Sequence, residues 1–331
     1  MAELVRIGLV GLGKMGAYHL QKLLEHPQVE LSGIYDKNPE VAQAAAQQFN
    51  LKIFSTPEDL FLESDAAIIA SPTPTHHPLG KLALEAGIHV LIEKPLCDRV
   101  EFAEELVSIA NQNQIVLQTG FVERYRLLEA LREAPTEKPV FIASERCATS
   151  PSREKGLDVV TDLMIHDIDL VLYLLREPPV LVTAEGFSLK ISEIDCAHAR
   201  LEFASGAVAH LKANWIAMDR QRLTHVVYDD TSITIDLLNQ KIQTITASES
   251  SEVRKHQAAL KEIDALRTQL DFFVSAIQGS SKPTVSGLDG LRAIEVCEVI
   301  KQRIRERNNQ QISVTPREKQ FLTKVWGGHV N

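Results

Sequence analysis

The sequence predicts an α/β protein: a doubly wound parallel sheet followed by a C-terminal α+β domain with a large, mostly antiparallel open sheet. Three observations predict it. Over residues 5–119, short continuous runs of Val, Ile and Leu alternate with helical patterns, as parallel strands buried on both faces and joined by crossover helices do. Beyond about residue 120 the texture changes to strand-like runs joined by tight-turn residues, the signature of hairpins. The 331 residues, 44% hydrophobic and 24% charged, are enough for two domains of about 100 to 200 residues each. The expected division is 1–119 and 120–331, with the last helices able to pack back on the first domain.

In chain order, "VRIGLV", "VELSGIYD", "LKIF", "AAIIA", "HVLIE" and "IVLQT" are the strands expected in the first domain. Asp98 followed by Glu101 has capping-box spacing and predicts a helix start before "FAEELVSIANQNQ". The second domain should open with a short helix, then the strand-like "PVFIASERCATS" and the apolar helix "VVTDLMIHDIDLVLYLL". Ser205-Gly206 and Asp229-Asp230 are two-residue turn candidates inside two hairpins. Helical runs around 258–278 and 287–306 follow.

Composition excludes several classes. Net charge is −9, with 35 Lys and Arg against 44 Asp and Glu, so no basic field favours nucleic acid or anionic lipid. Cys97, Cys147, Cys196 and Cys297 form no CxxC pair, which predicts reduced thiols in a cytosol. Neither a leader pattern nor an apolar run of the roughly 18 residues a membrane span needs is visible. The expectation is a soluble cytoplasmic protein. The histidines form no HxH or HExxH array, so no metal is expected.

The first functional motif is "LVGLGKMGAYH", with Gly11, Gly13 and Gly16 in a GxGxxG array between the first strand and a helix, and Lys14 and Met15 inside it. Such spacing allows a tight turn, close backbone approach to a pyrophosphate, and exposed helix N–H groups facing negative charge. Asp36 follows twenty positions after Gly16, where a carboxylate accepts hydrogen bonds from ribose hydroxyls and repels a 2′-phosphate. NAD is therefore expected over NADP, although Lys37 offers a cation to a 2′-phosphate. Ligands of open α/β sheets lie beyond the carboxyl ends of the strands, so Ser71, Pro72, Thr73, His76, Glu93 and Lys94 should line one crevice.

The helix at 159–175 poses a second question, because it is apolar nearly all round yet carries Asp162, His166, Asp167 and Asp169. At about 100° per residue, positions 162, 166 and 169 fall within about 60° and Asp167 points elsewhere. Buried carboxylates need partners. The stripe therefore faces either a structural network or a catalytic cleft.

Taken together, "GLGKMGAYH", "SPTPTHH", "EKPL" and "DLMIHDID" resemble the Gfo/Idh/MocA family of nicotinamide-dependent oxidoreductases over nearly the whole chain. The resemblance implies an N-terminal Rossmann domain and a C-terminal α/β domain whose open sheet supports homodimers or homotetramers. It implies that Lys94, Asp162 and His166 are the catalytic set, with His76 and Glu93 near the nicotinamide half of the cofactor. On that basis His166 removes a hydroxyl proton as general base, Lys94 stabilises the developing alkoxide, and Asp162 orients His166 or the substrate.

Many members carry glycine where this chain has Met164. "GFVERY", with Glu123, Arg124 and Tyr125, and the run from Glu145 to Asp169 are similar to the nucleotide-sugar branch, the UDP-N-acetylglucosamine 3-dehydrogenases, with Arg126-Leu127 in place of the usual Asn-Pro. Arg124, Arg146 and Arg153 would then serve a diphosphate, for which arginine's bidentate fork is suited. Tyr125 belongs to the same substrate-binding group, and Asp169 is a substrate contact or helix support. The alternatives are a simple sugar or inositol dehydrogenase, a reductase of the same fold, or an NAD-responsive binding protein without chemistry. No role is assigned to the segment around Trp326.

Overall fold

The structure is a computed structural model that describes residues 4–150, 156–189, 193–247 and 253–309. Arg153 and Trp326 lie outside the described residues.

The first unit runs β1 (Val5–Val10), α1 (Lys14–Glu25), β2 (Val29–Tyr35), α2 (Pro39–Phe49), α3 (Pro57–Leu62), β3 (Ala66–Ile69), α4 (His76–Glu85), β4 (His89–Glu93), α5 (Val100–Gln112) and β5 (Leu117–Gly120). Its five strands are parallel in the order β2-β1-β3-β4-β5. The order reverses at β1, so its carboxyl end, with that of β3, opens the crevice where ligands of such sheets sit. All four residues of β3 are buried, which is why its sequence shows an apolar run without alternation.

Two local expectations fail. "LKIF" is not a strand and makes a single parallel bridge, Ile53 to Ile34. Asn50 ends α2 in the left-handed region and Thr56 caps α3, which leaves too little chain for a ladder. Asp98 does not cap α5: Arg99 holds the cap position without a side-chain bond, and the helix begins at Val100.

The second unit contains α6 (Val122–Ala130), β6 (Phe141–Cys147), a π-helical turn at Val160–Met164 that continues into α7 (Ile165–Leu175), then β7 (Pro179–Phe187), β8 (Cys196–Phe203), β9 (Val208–Asn214), β10 (Gln221–Val227), β11 (Thr231–Asp236), β12 (Lys241–Ala247), β13 (Val253–Ala259), α8 (Ala265–Ile277) and α9 (Gly287–Asn309). The eight strands lie in the order β13-β12-β11-β10-β6-β9-β8-β7. Only β6 and β9 pair in parallel; the other neighbours are antiparallel.

Ala197, Ala199, Leu201 and Phe203 alternate with more exposed residues along β8, as a sheet covered on one face requires. The β10–β11 turn has Asp229 and Asp230 at its tip, closed by Tyr228 N–H to the Thr231 carbonyl. At the β8–β9 turn the closing bond is Phe203 N–H to the Ala207 carbonyl, giving a three-residue loop with Gly206 at φ +89°. The helix expected from about 258 starts at Ala265, because 253–259 form β13. That edge strand, "VRKHQAA", is exposed at nearly every position and carries no apolar alternation.

Helix α9 packs on β7, α5 and α7. Helix α8 turns back to α1, where Leu270, Phe273 and Val274 join Val5, Ile7, Leu9, Leu20 and Leu23 in one buried cluster.

Candidate active site at the junction of the two units

The glycine turn after β1 divides its labour among three residues. Gly11 adopts φ +88°, and a Cβ there would sit 2.7 Å from the Ser71 backbone nitrogen. A Cβ on Gly16 would sit 1.9 Å from the Gly11 carbonyl oxygen, so helix and turn pack backbone to backbone. Gly13 is different, since a Cβ there would meet nothing within 4 Å. It precedes α1, whose first turn has no side-chain cap, leaving helix N–H groups free for an anion.

Asp36, just after β2, is fixed at both oxygens: Leu12 N–H donates to Oδ2 at 2.7 Å and Asn38 N–H to Oδ1 at 2.8 Å. The carboxylate therefore stands locked beside the glycine turn. A cleft of about 1490 Å³ joins these parts, and every residue expected at the cofactor site lines it except Gly16. Open helix amides at one point and a fixed carboxylate at another are what a dinucleotide's pyrophosphate and ribose need, so the residues fit that group.

Lys94, following β4, lines the same cleft. Its Nζ donates to both the carbonyl oxygen and Oδ1 of Asp162, each at 2.9 Å, which ties the first sheet to the helix of the second unit. Asp162 lies in the π-helical turn, where the regular ladder is interrupted. Behind Lys94, Glu93 bonds His19 Nε2 at 2.7 Å. His76 places Nδ1 2.8 Å from the Pro95 carbonyl and Nε2 2.8 Å from the Ser71 carbonyl, joining the loops after β4 and β3.

His166, four residues after Asp162, has its Nδ1 buried without a hydrogen-bond partner and its ring edge-on to Phe121 at 6.1 Å. Burial pushes its pKa well below 6.5; Glu123 opposes this, while Lys94, Arg146 and Arg222 reinforce it. The imidazole is consequently neutral at pH 7, the form that accepts a proton.

Of the expected substrate set, Arg124, Tyr125, Arg146 and Asp169 go elsewhere. Arg124, 3% exposed, donates Nε to Asp169 Oδ2 at 2.9 Å and Nη1 to the Thr284 carbonyl at 2.8 Å, and Nη2 also meets Asp169. Arg146, 4% exposed, forks onto Asp167 at 3.0 and 2.9 Å and bonds Glu123 through Nη1. Both guanidiniums are thus sealed inside carboxylate pairs rather than turned toward a diphosphate. Asp169 is held in the Arg124 pair at the interior of α7, and burial raises its carboxyl to about 6 against the pull of Arg124. Tyr125 is buried against Phe272 with its hydroxyl unpartnered.

Two residues near His166 were given no role from sequence. Glu123 accepts from Arg146 and from Arg222 Nη1, the latter at 2.7 Å. Burial would raise its carboxyl, but the two arginines and His166 outweigh it and hold the pKa far below the usual range. Arg222 reaches it from β10 with its side chain 44% exposed. Glu123 lies within "GFVERY" on α6, whereas Arg222 belongs to no motif and is brought to it only by the folded sheet. Among the described residues no group of three or more His, Cys, Asp and Glu could hold a metal, and no helix is long and apolar enough to cross a membrane.

Fold and cleft together define a two-domain oxidoreductase. A family model described as "Oxidoreductase family, NAD-binding Rossmann fold" matches residues 5–121, and the Gfo/Idh/MocA C-terminal domain model matches 143–236. The chain belongs to the Gfo/Idh/MocA oxidoreductase family. It is 32% identical to the UDP-N-acetylglucosamine 3-dehydrogenase of Acidithiobacillus ferrooxidans over 88% of this chain and 94% of that one. The solved structure of that enzyme superposes with a TM-score of 0.86, covering 92% of this chain and 98% of the other at 30% identity. The myo-inositol 2-dehydrogenase of Thermotoga maritima is 25% identical over 93% of this chain and 98% of its own length. A solved structure described as GenD2 from gentamicin A biosynthesis in complex with NAD shares the fold, with a TM-score of 0.77 at 23% identity over 92% and 95% of the two chains.

Proposed function

We propose that this protein is an NAD-dependent dehydrogenase oxidising a secondary hydroxyl of a nucleotide sugar, with the 3-hydroxyl of UDP-N-acetylglucosamine as the leading candidate. The observation that carries the reading is the Lys94–Asp162 bridge, which holds an ammonium at the cofactor cleft within electrostatic reach of a neutral, half-buried His166. Likeness to the Acidithiobacillus enzyme over most of both chains supports the substrate class.

Bound nicotinamide supplies the hydride acceptor. His166 accepts the hydroxyl proton, which its neutral form allows. Lys94 donates to the oxygen as negative charge develops, and Asp162 keeps that donor in place. Asp36 accepts from the adenosine ribose and disfavours a 2′-phosphate, which supports NAD over NADP. Copies of the chain pair through the open face of the second sheet, where Leu181, Phe187 and Leu223 are exposed; sedimentation of the purified protein reads this directly.

The test is turnover of UDP-N-acetylglucosamine, other UDP-sugars, free sugars and myo-inositol with NAD or NADP, followed by absorbance of the reduced nicotinamide. Oxidation of a UDP-sugar at the highest kcat/KM is expected. Preferred turnover of myo-inositol would move the chain to the inositol dehydrogenases, and cofactor binding with no turnover of any compound would favour a non-catalytic NAD-binding protein.

A further inference from the structure

Arg124 and Arg146 are sealed in carboxylate pairs, so among the described residues an anchor for a nucleotide sugar must be sought elsewhere. A cavity of about 600 Å³ opens beside the cofactor cleft, lined among others by Met15, Tyr18, Lys22, Arg126, Glu262 and Asp264. Met15 lines both spaces, so the two adjoin at the glycine turn. A second hollow of about 320 Å³ continues past Arg126 and Glu262 toward Leu237 and Lys261.

Within the first cavity, Lys22 and Asp264 neutralise each other at 2.8 Å. Arg126, on the exposed side of α6, forms no ion pair or hydrogen bond among the described residues. Glu262 is exposed and equally without a partner there. Tyr18 lies 48% exposed on α1.

We infer that this cavity is the nucleoside-diphosphate subsite, with Arg126 on the diphosphate, Glu262 on the ribose hydroxyls and Tyr18 against the base. The assignment rests on the nucleotide-sugar reading above. An uncommitted guanidinium offers the paired N–H groups that a phosphate accepts. A carboxylate is the natural acceptor for a vicinal diol, as Asp36 is for the cofactor. An exposed aromatic ring stacks on a base of any sequence. The three line one hollow that adjoins the cofactor cleft at Met15, and Lys94 lines that same cleft, so a sugar at Lys94 and a nucleotide in the cavity can belong to one molecule.

The experiment is calorimetric titration of UDP into the NAD-loaded protein, beside KM for UDP-N-acetylglucosamine, in wild type and in Arg126→Gln, Tyr18→Ala, Tyr18→Phe and Arg132→Gln. UDP binding is expected to weaken about tenfold or more in Arg126→Gln and in Tyr18→Ala, and to persist in Tyr18→Phe. Arg132→Gln, outside the cavity, should bind UDP as wild type does. Unchanged NAD affinity in each variant shows that the fold is intact. The subsite is overturned if wild type does not bind UDP, or if Arg126→Gln and Tyr18→Ala bind it as tightly as wild type. Arg126-dependent UDP binding without oxidation of any UDP-sugar would instead sink the proposed reaction and leave the subsite standing.

Discussion

Lys94 and His166 illustrate how two side chains with distinct needs share a site. Lys94 must stay aimed, which its hydrogen bond to Asp162 provides. Removing it in Lys94→Ala should lower kcat by about 10²–10³, the roughly 2.7–4 kcal/mol of a single oxyanion donor; an unchanged kcat would exclude Lys94 from the chemistry. His166 must stay neutral. Burial favours the unprotonated ring, so activity should rise with pH through a value below the ordinary 6.5 and be flat at neutrality. His166→Asn should abolish that acid limb in a plot of log kcat/KM against pH. In Glu123→Gln, loss of the negative charge that partly supports protonation should move the limb lower still; movement upward would contradict the assigned electrostatics. Asp36→Ala should weaken NAD and narrow the discrimination against NADP, as direct binding of each cofactor will show.

At the level of elements, α1 offers a clean contrast between two glycines of one motif. Gly16→Ala forces a methyl into the Gly11 carbonyl, and neither backbone can retreat cheaply, so stability should fall by about 1–3 kcal/mol together with cofactor affinity. Gly13→Ala points into open space; its Tm should hold while NAD binding weakens, because the ligand alone would occupy that volume. A thermal melt and an NAD titration on the two variants separate packing from recognition. The same helix shows why parts of the fold are legible in sequence. Glycine spacing and buried strands are local signals, so β1 to β5 and the turn at Gly11 can be read directly. "LKIF" has the composition of a strand but not the length between its neighbours. β13 has the partners of a strand without the alternation, since an exposed edge imposes none. The π-helical turn is silent in sequence, and regular helical arithmetic therefore grouped Asp162 with Asp169 although the first bonds Lys94 and the second Arg124.

Across the whole molecule, buried ion pairs join α6, α7 and the second sheet. Arg124 and Asp169 are 45 residues apart in sequence, and Arg146 and Asp167 meet only once β6 packs under α7. Motif resemblance named these arginines but could not show which way they face, because their orientation depends on partners far along the chain. Arg124→Met leaves the Asp169 carboxyl sealed without its cation, and should cost about 3–5 kcal/mol in urea unfolding. Adding Asp169→Asn should recover part of that loss, since no unpaired carboxyl remains. Family membership, the glycine turn and the placement of Asp36 and Lys94 along one cleft were legible, and Glu123 was marked by "GFVERY" though not by a role; Arg222 was not legible, because nothing local marks it. The return of α8 to α1 bears on how the gene can be dissected. Leu270, Phe273 and Val274 shield the greasy surface of α1 and β1, so the nucleotide-binding half lacks autonomy although it comes first in the chain. A fragment stopping at residue 121 would expose that surface and self-associate, whereas splicing 264–278 back onto it by a designed linker should give a monodisperse cofactor-binding module.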